Sequence, residues 1–244
     1  MLNYFKFLLH QLKGWPQQNY YLFFFSLGCQ VMTLVNQPIT FLTVITFIGT
    51  TLGGLCILSI NAAKSVNGIL GIISAICFIY VGYSAKNYLS IGEQIAYMIT
   101  LDIPVLLSKE WNHNMASKIR KFTGKTWFVA IISTIVVYFV SGFLIQRFTD
   151  DPRPWIDAIA FSISLSAGII SFLRYNNNTF GGWHQGLPKW FFGTISFRHG
   201  SASLAMFVNS SVYLINDVFA FTVSPWYNKK ERERMEEEYY HLSH

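Results

Sequence analysis

The stretch SASLAMFVNSSVYLINDVFAFTVSPW, Ser201 to Trp226, is long and apolar enough to cross a bilayer as a helix, yet Asn209, Tyr213, Asn216 and Asp217 interrupt its hydrocarbon. Asn209, Tyr213 and Asn216 stand at i, i+4 and i+7, so an α-helix puts them on one face and leaves Leu204, Phe207, Val212, Leu214 and Phe219 for the rest. Polar groups in a membrane span are costly, and a line of them marks either a pathway or hydrogen bonds to neighbouring helices. Three on one face favour the pathway.

The composition supports a bilayer as the surroundings. The chain is 52% hydrophobic, 17% aromatic and only 12% charged, too apolar for an ordinary soluble domain. Apolar runs of about 20 residues recur between short polar joints, which predicts one all-α membrane bundle with no room for a nucleotide-hydrolysing module. The net charge of +6 could suggest nucleic acid, but the Lys and Arg residues gather in the joints and the tail, where they set orientation. Cys29, Cys56 and Cys77 are odd in number and set among apolar residues, which argues for packing over a disulfide framework or a metal cluster.

Working outward, MLNYFKFLLHQLKGW at the start has two lysines and an apolar face but no small-residue cleavage pattern, and reads as an interfacial amphipathic segment. An extra helix follows over Tyr20 to Asn36, then three spans at about 39–61, 67–84 and 88–108. A basic joint around Lys109 to Lys125 leads to a lone run from Trp127 to Ile145, and three more spans are expected at about 155–173, 180–199 and 201–224. This predicts seven or eight transmembrane helices: 1–37 an amphipathic segment with the extra helix, 38–110 a first triplet, 111–150 a basic cytoplasmic loop with a linking helix, 151–226 a second triplet, and 227–244 a charged cytoplasmic tail. One linking helix leaves both triplets with the same orientation, a parallel repeat of three, one and three. Sliding the chain by 115 (Trp226 minus Trp111) pairs Gly53 with Gly168, Gln94 with Asn209 and Asp102 with Asp217. Placing the tail inside also puts Lys64 and the basic joint inside, with Lys86, Arg147, Arg153 and Arg198 outside.

The third span, SIGEQIAYMITLDIPVLL, sets Glu93, Tyr97 and Thr100 at i, i+4 and i+7, with Gln94 alongside and Asp102 further in. Pro104 should bend it and free a carbonyl one turn before. The carboxylates Glu93, Asp102 and Asp217 read as gating or structural polar groups. The segment NNNTFGGWHQGLPKWFFGTISFRHG, from Asn176, is too rich in Gly, Pro and Lys for a smooth span; Trp183, His184 and Gln185 are expected near the cavity, or else the region up to Lys189 is a cytoplasmic loop. No phosphate-cradling glycine loop, zinc-protease motif or nucleophile elbow is present. The chain therefore does not read as an enzyme, and no cofactor or metal is expected. An intramembrane enzyme, the remote alternative, would have only Asp102, Asp217 and His184 to work with.

The order IGTTLGGLCI, VNGILGIISAICFIYVGY, GEQIAYMITLDIPVLLSKEW and PRPWIDAIAFSISLSAGIISF resembles the PnuC family of bacterial vitamin transporters, over about residues 40 to 226. The resemblance implies a bundle like the SWEET sugar transporters, in the bacterial inner membrane with a cytoplasmic C-terminus. It also implies nicotinamide riboside as substrate, taken up by facilitated diffusion and trapped when a cytosolic kinase phosphorylates it; a deoxyribonucleoside, thiamine or riboflavin are the alternatives. By position, Gln94, Trp183, Asn209 and Asn216 become substrate contacts. The residues themselves add Tyr97, Gln185 and Tyr213, since amides and hydroxyls bond ribose and carboxamide groups while aromatic rings stack on a flat, cationic one. Association into a homo-oligomer is left open.

Overall fold

The computed structural model describes residues 11–12, 14–62, 64–107, 123–173, 204–223, 228–230, 233–234 and 237. Among these residues the secondary structure is helical, with no strand. The helices are α1 (Gln17–Val35), α2 (Phe41–Asn61), α3 (Asn67–Ser84), α4 (Tyr88–Tyr97), a π turn (Met98–Asp102), α5 (Ile103–Leu107), α6 (Gly124–Phe148), α7 (Pro154–Phe172) and α8 (Leu204–Val223). The segment expected at 180–199 and residues 108–122 of the basic joint fall outside the described residues, while Lys125 lies in the first turn of α6.

Local chemistry sets the boundaries. α1 stops at Asn36, ahead of Pro38, and α2 starts at a capping box in which Thr40 and Thr43 each accept the other's backbone N–H. Between α3 and α4 the chain turns at Lys86, whose φ of 56° lies in the left-handed region, and the Asn87 side chain then accepts the Ser90 N–H at 2.8 Å to cap α4. α4, the π turn and α5 form one rod. The Ile103 N–H reaches the Met98 carbonyl five residues back, so the irregularity lies just upstream of Pro104 and takes the form of a wide turn.

Among the described residues, four segments are long and apolar enough to cross a membrane: Phe41–Asn61, Asn67–Ser84, Tyr88–Leu107 and Gly124–Phe148. Their outward faces carry large apolar side chains, among them Phe128, Val136, Phe139 and Phe143 on α6, while small or polar residues such as Ala130, Ser141 and Gly142 turn inward. Lipid makes this pattern stable, because apolar atoms gain nothing by leaving it and polar ones do. α2 packs closely on α3 and α6 on α7; α4 and the π turn lie against α3 and α7, and α8 lies against α1 and α2.

Contacts between joints identify the two ends. At one end the Gln11 side chain accepts the Ser65 N–H, and Trp15, Leu58, Ala62, Val66 and Val212 form a buried cluster that Phe219 covers. At the other, Lys86 and Tyr88 both bond Asp150, the hydroxyl of Tyr88 at 2.8 Å. Thus α2, α4, α7 and α8 all run from the Lys86 end to the Lys64 end, and α3 and α6 run back.

Candidate functional site

α8 lies on α2 through its polar face. Asn216, 3% exposed, accepts a hydrogen bond from the Asn61 amide at 3.0 Å, and Asn61 is the last residue of α2. Further toward the Lys86 end, the Tyr213 hydroxyl lies in a notch at Gly53: an added Cβ there would come within 2.8 Å of the Tyr213 Oη and 2.9 Å of the Ser74 Oγ. Ser74 belongs to α3 and donates to the Gly49 carbonyl at 2.8 Å, which draws α3 against α2. Three helices, α2, α3 and α8, thus meet around one phenol.

A second such meeting joins α4 to α7. Tyr97 and Thr100 cover Gly168, where an added Cβ would approach the Thr100 Oγ1 to 3.2 Å and the Tyr97 ring to 3.3 Å. One turn before Tyr97, Glu93 is buried at 7% exposure and Gln94 is half-buried. Gly92 meets the Phe161 ring on α7, so this face of α4 packs against α7 at both places.

Asp102 is 4% exposed, but its carboxylate packs into the space that Gly71 leaves on α3, and its carbonyl lies against Gly68. Asp102 thus contacts α3, whereas Tyr97 contacts α7. Cys56, nearby, donates weakly to the Asn67 carbonyl at 3.4 Å. Among the described residues no group of His, Cys, Asp and Glu could hold a metal ion.

Of the residues expected from the sequence, Tyr213 and Asn216 share the α8–α2 contact, and Glu93, Tyr97 and Thr100 share the α4 face. Asn209 and Asp217 lie within α8, with their side chains outside the described part, and Trp183, His184 and Gln185 fall wholly outside it. The sequence reading missed Asn61 and Ser74. Asn61 stands where a span meets its joint and looks like a terminal cap; Ser74 is one small polar residue among apolar ones. Their signal was the glycines beside them, which admit a neighbouring helix.

The Lys86 end has its own polar contacts. Asp150 holds the Lys86 ammonium above its ordinary pKa, and Lys86, with help from Tyr88, holds the Asp150 carboxyl below its ordinary 3.8. On the outer side of α1, Phe24, Phe25, Gly28, Cys29, Met32, Thr33 and Asn36 form with Val208 a groove of about 530 Å³, too apolar for a hydroxylated ligand.

Comparison with known proteins agrees with this architecture. The profile of a family described as nicotinamide mononucleotide transporter matches residues 43–228. The chain is 23% identical over 225 residues, 85% of its length and 81% of the relative's, to a protein of Neisseria mucosa named nicotinamide riboside transporter PnuC. It also superposes on the crystal structure of the vitamin B3 transporter PnuC with a TM-score of 0.73 at 19% identity, covering 96% of this chain and 99% of that one.

Proposed function

Since the chain belongs to the nicotinamide mononucleotide transporter family, we propose that it carries nicotinamide riboside across a membrane, through a passage between two triplets of helices. We assign α2, α3 and α4–α5 to one triplet, α6 to the link, and α7, the segment at 180–199 and α8 to the other; α1 is an eighth helix. The observation that carries this reading is a pair of polar, aromatic helix contacts, which we take as the two walls of the passage. Asn216 and Tyr213 on α8 meet Asn61 and Gly53 on α2, and Tyr97 on α4 meets Gly168 on α7. Amides suit ribose hydroxyls and a carboxamide, and tyrosine rings suit the pyridinium. Trp183, Gln185 and Asn209 complete the proposed contacts.

The riboside fits better than the mononucleotide. A phosphate calls for Arg or Lys at hydrogen-bond range. The residues named at the Tyr213 and Tyr97 contacts include none, and the α4 side brings the buried Glu93; the buried Lys64 stands three residues beyond Asn61, at the end of α2. The name of the Neisseria mucosa relative points the same way.

The proposed mechanism is downhill transport, made directional by a kinase that phosphorylates the substrate inside. The Lys64 end and the tail are assigned to the cytoplasm because most basic joints gather there. Purified protein should bind nicotinamide riboside more tightly than thymidine, thiamine or riboflavin, and in liposomes should only equilibrate it. Tighter binding of another member of that panel would replace the substrate. Accumulation driven by an imposed proton or sodium gradient would overturn the mechanism.

A further inference from the structure

The two tyrosine contacts are reciprocal. Tyr213, on the last helix of the second triplet, occupies the notch at Gly53 on the first helix of the first; Tyr97, on the last helix of the first triplet, covers Gly168 on the first helix of the second. A two-fold relation demands this exchange, since if one unit's residue meets its partner's, the converse contact must also exist. Gly53 and Gly168 are 115 positions apart (168 minus 53), and Tyr97 and Tyr213 are 116 (213 minus 97).

The π turn accounts for the extra position. Its bond from Ile103 back to Met98 spans five residues where an α turn spans four, so the rod holds one residue more in that turn. Up to the turn the two last helices correspond at 116, which aligns Glu93 with Asn209 and Tyr97 with Tyr213. Beyond it they correspond at 115, which aligns Asp102 with Asp217. A uniform slide of 115 makes Gln94 the counterpart of Asn209. The contacts make it Glu93, which is buried, whereas Gln94 is only half-buried.

We propose that Glu93, one turn from Tyr97 and in register with Asn209, is the specificity-determining residue of the passage and selects a positively charged substrate over a neutral one. The proposal rests on the transport reading above and adds a chemical class to it. The carboxylate is engaged with its surroundings as it stands; a cationic ring entering beside Tyr97 would share that charge, whereas an uncharged ring of the same shape would gain nothing from it. Both reach the same hydroxyl and amide groups, so beyond the cation–π preference of the tyrosine rings the distinction falls on Glu93.

The test compares nicotinamide riboside with its reduced form, which keeps the ribose and carboxamide but carries no ring charge, on the full-length detergent-purified protein by calorimetry. Wild type should prefer the cation, and Glu93→Gln should lower affinity for the cation about tenfold or more while leaving the neutral form within about threefold. Glu93→Asp should retain part of the preference, and Gln94→Ala should keep all of it. Melting temperatures without ligand check that each variant is folded. Equal losses for both ligands in Glu93→Gln, or a preference that vanishes in Gln94→Ala, would overturn the proposal. If wild type instead binds thiamine, another cation, the vitamin assignment fails while Glu93→Gln against thiamine still decides the role of Glu93. A wild type that prefers thymidine or riboflavin ends both.

Discussion

Replacing Gly53 with alanine puts a methyl group into the notch that the Tyr213 hydroxyl occupies. It would lie 2.8 Å from the Tyr213 Oη, 2.9 Å from the Ser74 Oγ and 3.4 Å from a Phe78 ring carbon, so at least two neighbours must move. The Ser74 hydroxyl can move only by weakening its bond to the Gly49 carbonyl, a loss of about 0.5–1.5 kcal/mol, and overpacking adds about 1–3 kcal/mol. Alanine regains up to about 1 kcal/mol of helix propensity, leaving a net destabilisation of about 1–3 kcal/mol. The same change at Gly168 meets its nearest atom at 3.2 Å, which small shifts absorb, so there the propensity gain should roughly cancel the crowding. Melting in detergent, with and without nicotinamide riboside, should therefore separate the two variants. Gly53→Ala should melt lower and bind more weakly, because the displaced phenol is part of the wall. Combining it with Tyr213→Phe, which removes the crowded hydroxyl, should restore part of the stability. If Gly168→Ala proves as damaging as Gly53→Ala, or if the double variant recovers nothing, the notch has been misread.

Three further outcomes are expected. Asn61→Ala and Asn216→Ala should each lower stability by about 1–3 kcal/mol by stranding a buried amide, but only Asn216→Ala should also lower affinity for nicotinamide riboside; equal affinity losses would place Asn61 in the site as well. In a background without Cys29, Cys56 and Cys77, an introduced cysteine at Lys86 should react with an impermeant reagent from outside intact cells, and one at Lys229 only after permeabilisation. The reverse pattern would invert the topology. For the exposed Lys86–Asp150 pair, the depressed carboxyl contributes above its unfolded pKa and its contribution is lost as the pH falls through the lower folded value, while the raised Lys86 contribution is lost only as the pH climbs past the ordinary 10.5. Lys86→Met should thus have a small effect at neutral pH that disappears in acid, and a large effect persisting there would show another role for Lys86.

Much of the fold was legible because hydropathy and helix caps are local. The spans expected at 39–61, 67–84, 88–108, 155–173 and 201–224 correspond to helices whose ends differ by at most three residues, and the lone run at 127–145 extends three residues further at each end. The stripe on α8 was legible for the same reason, since Tyr213 and Asn216 follow helical spacing. What the spacing could not supply was the extra residue before Pro104, on which the proposed register between the halves depends. Pro104 announces a disturbance, but only the bond from Ile103 to Met98 shows that it takes up a whole residue. With that residue uncounted, Gln94 pairs with Asn209, and Glu93 beside it reads as a gating or structural polar group.

α1 shows the other way in which a sequence conceals its inward face. Averaged along its length it is only moderately apolar, since Asn19, Ser26, Gln30 and Thr33 dilute its aromatic residues, and it therefore read as an added helix of uncertain place. In the structure those four polar residues are all buried, while Tyr21, Phe24, Phe25, Met32 and Val35 are exposed. In water this arrangement would be inverted. In lipid it is the stable one, because a buried amide finds a partner, as Asn19 does at the Leu58 carbonyl at 3.1 Å, and an exposed ring loses nothing to the acyl chains. At 19 residues, about 28 Å by the rise of an α-helix, α1 is also close to the thickness of the hydrocarbon core. Its burial pattern, more than its mean hydropathy, is the physical argument for counting it among the helices that cross.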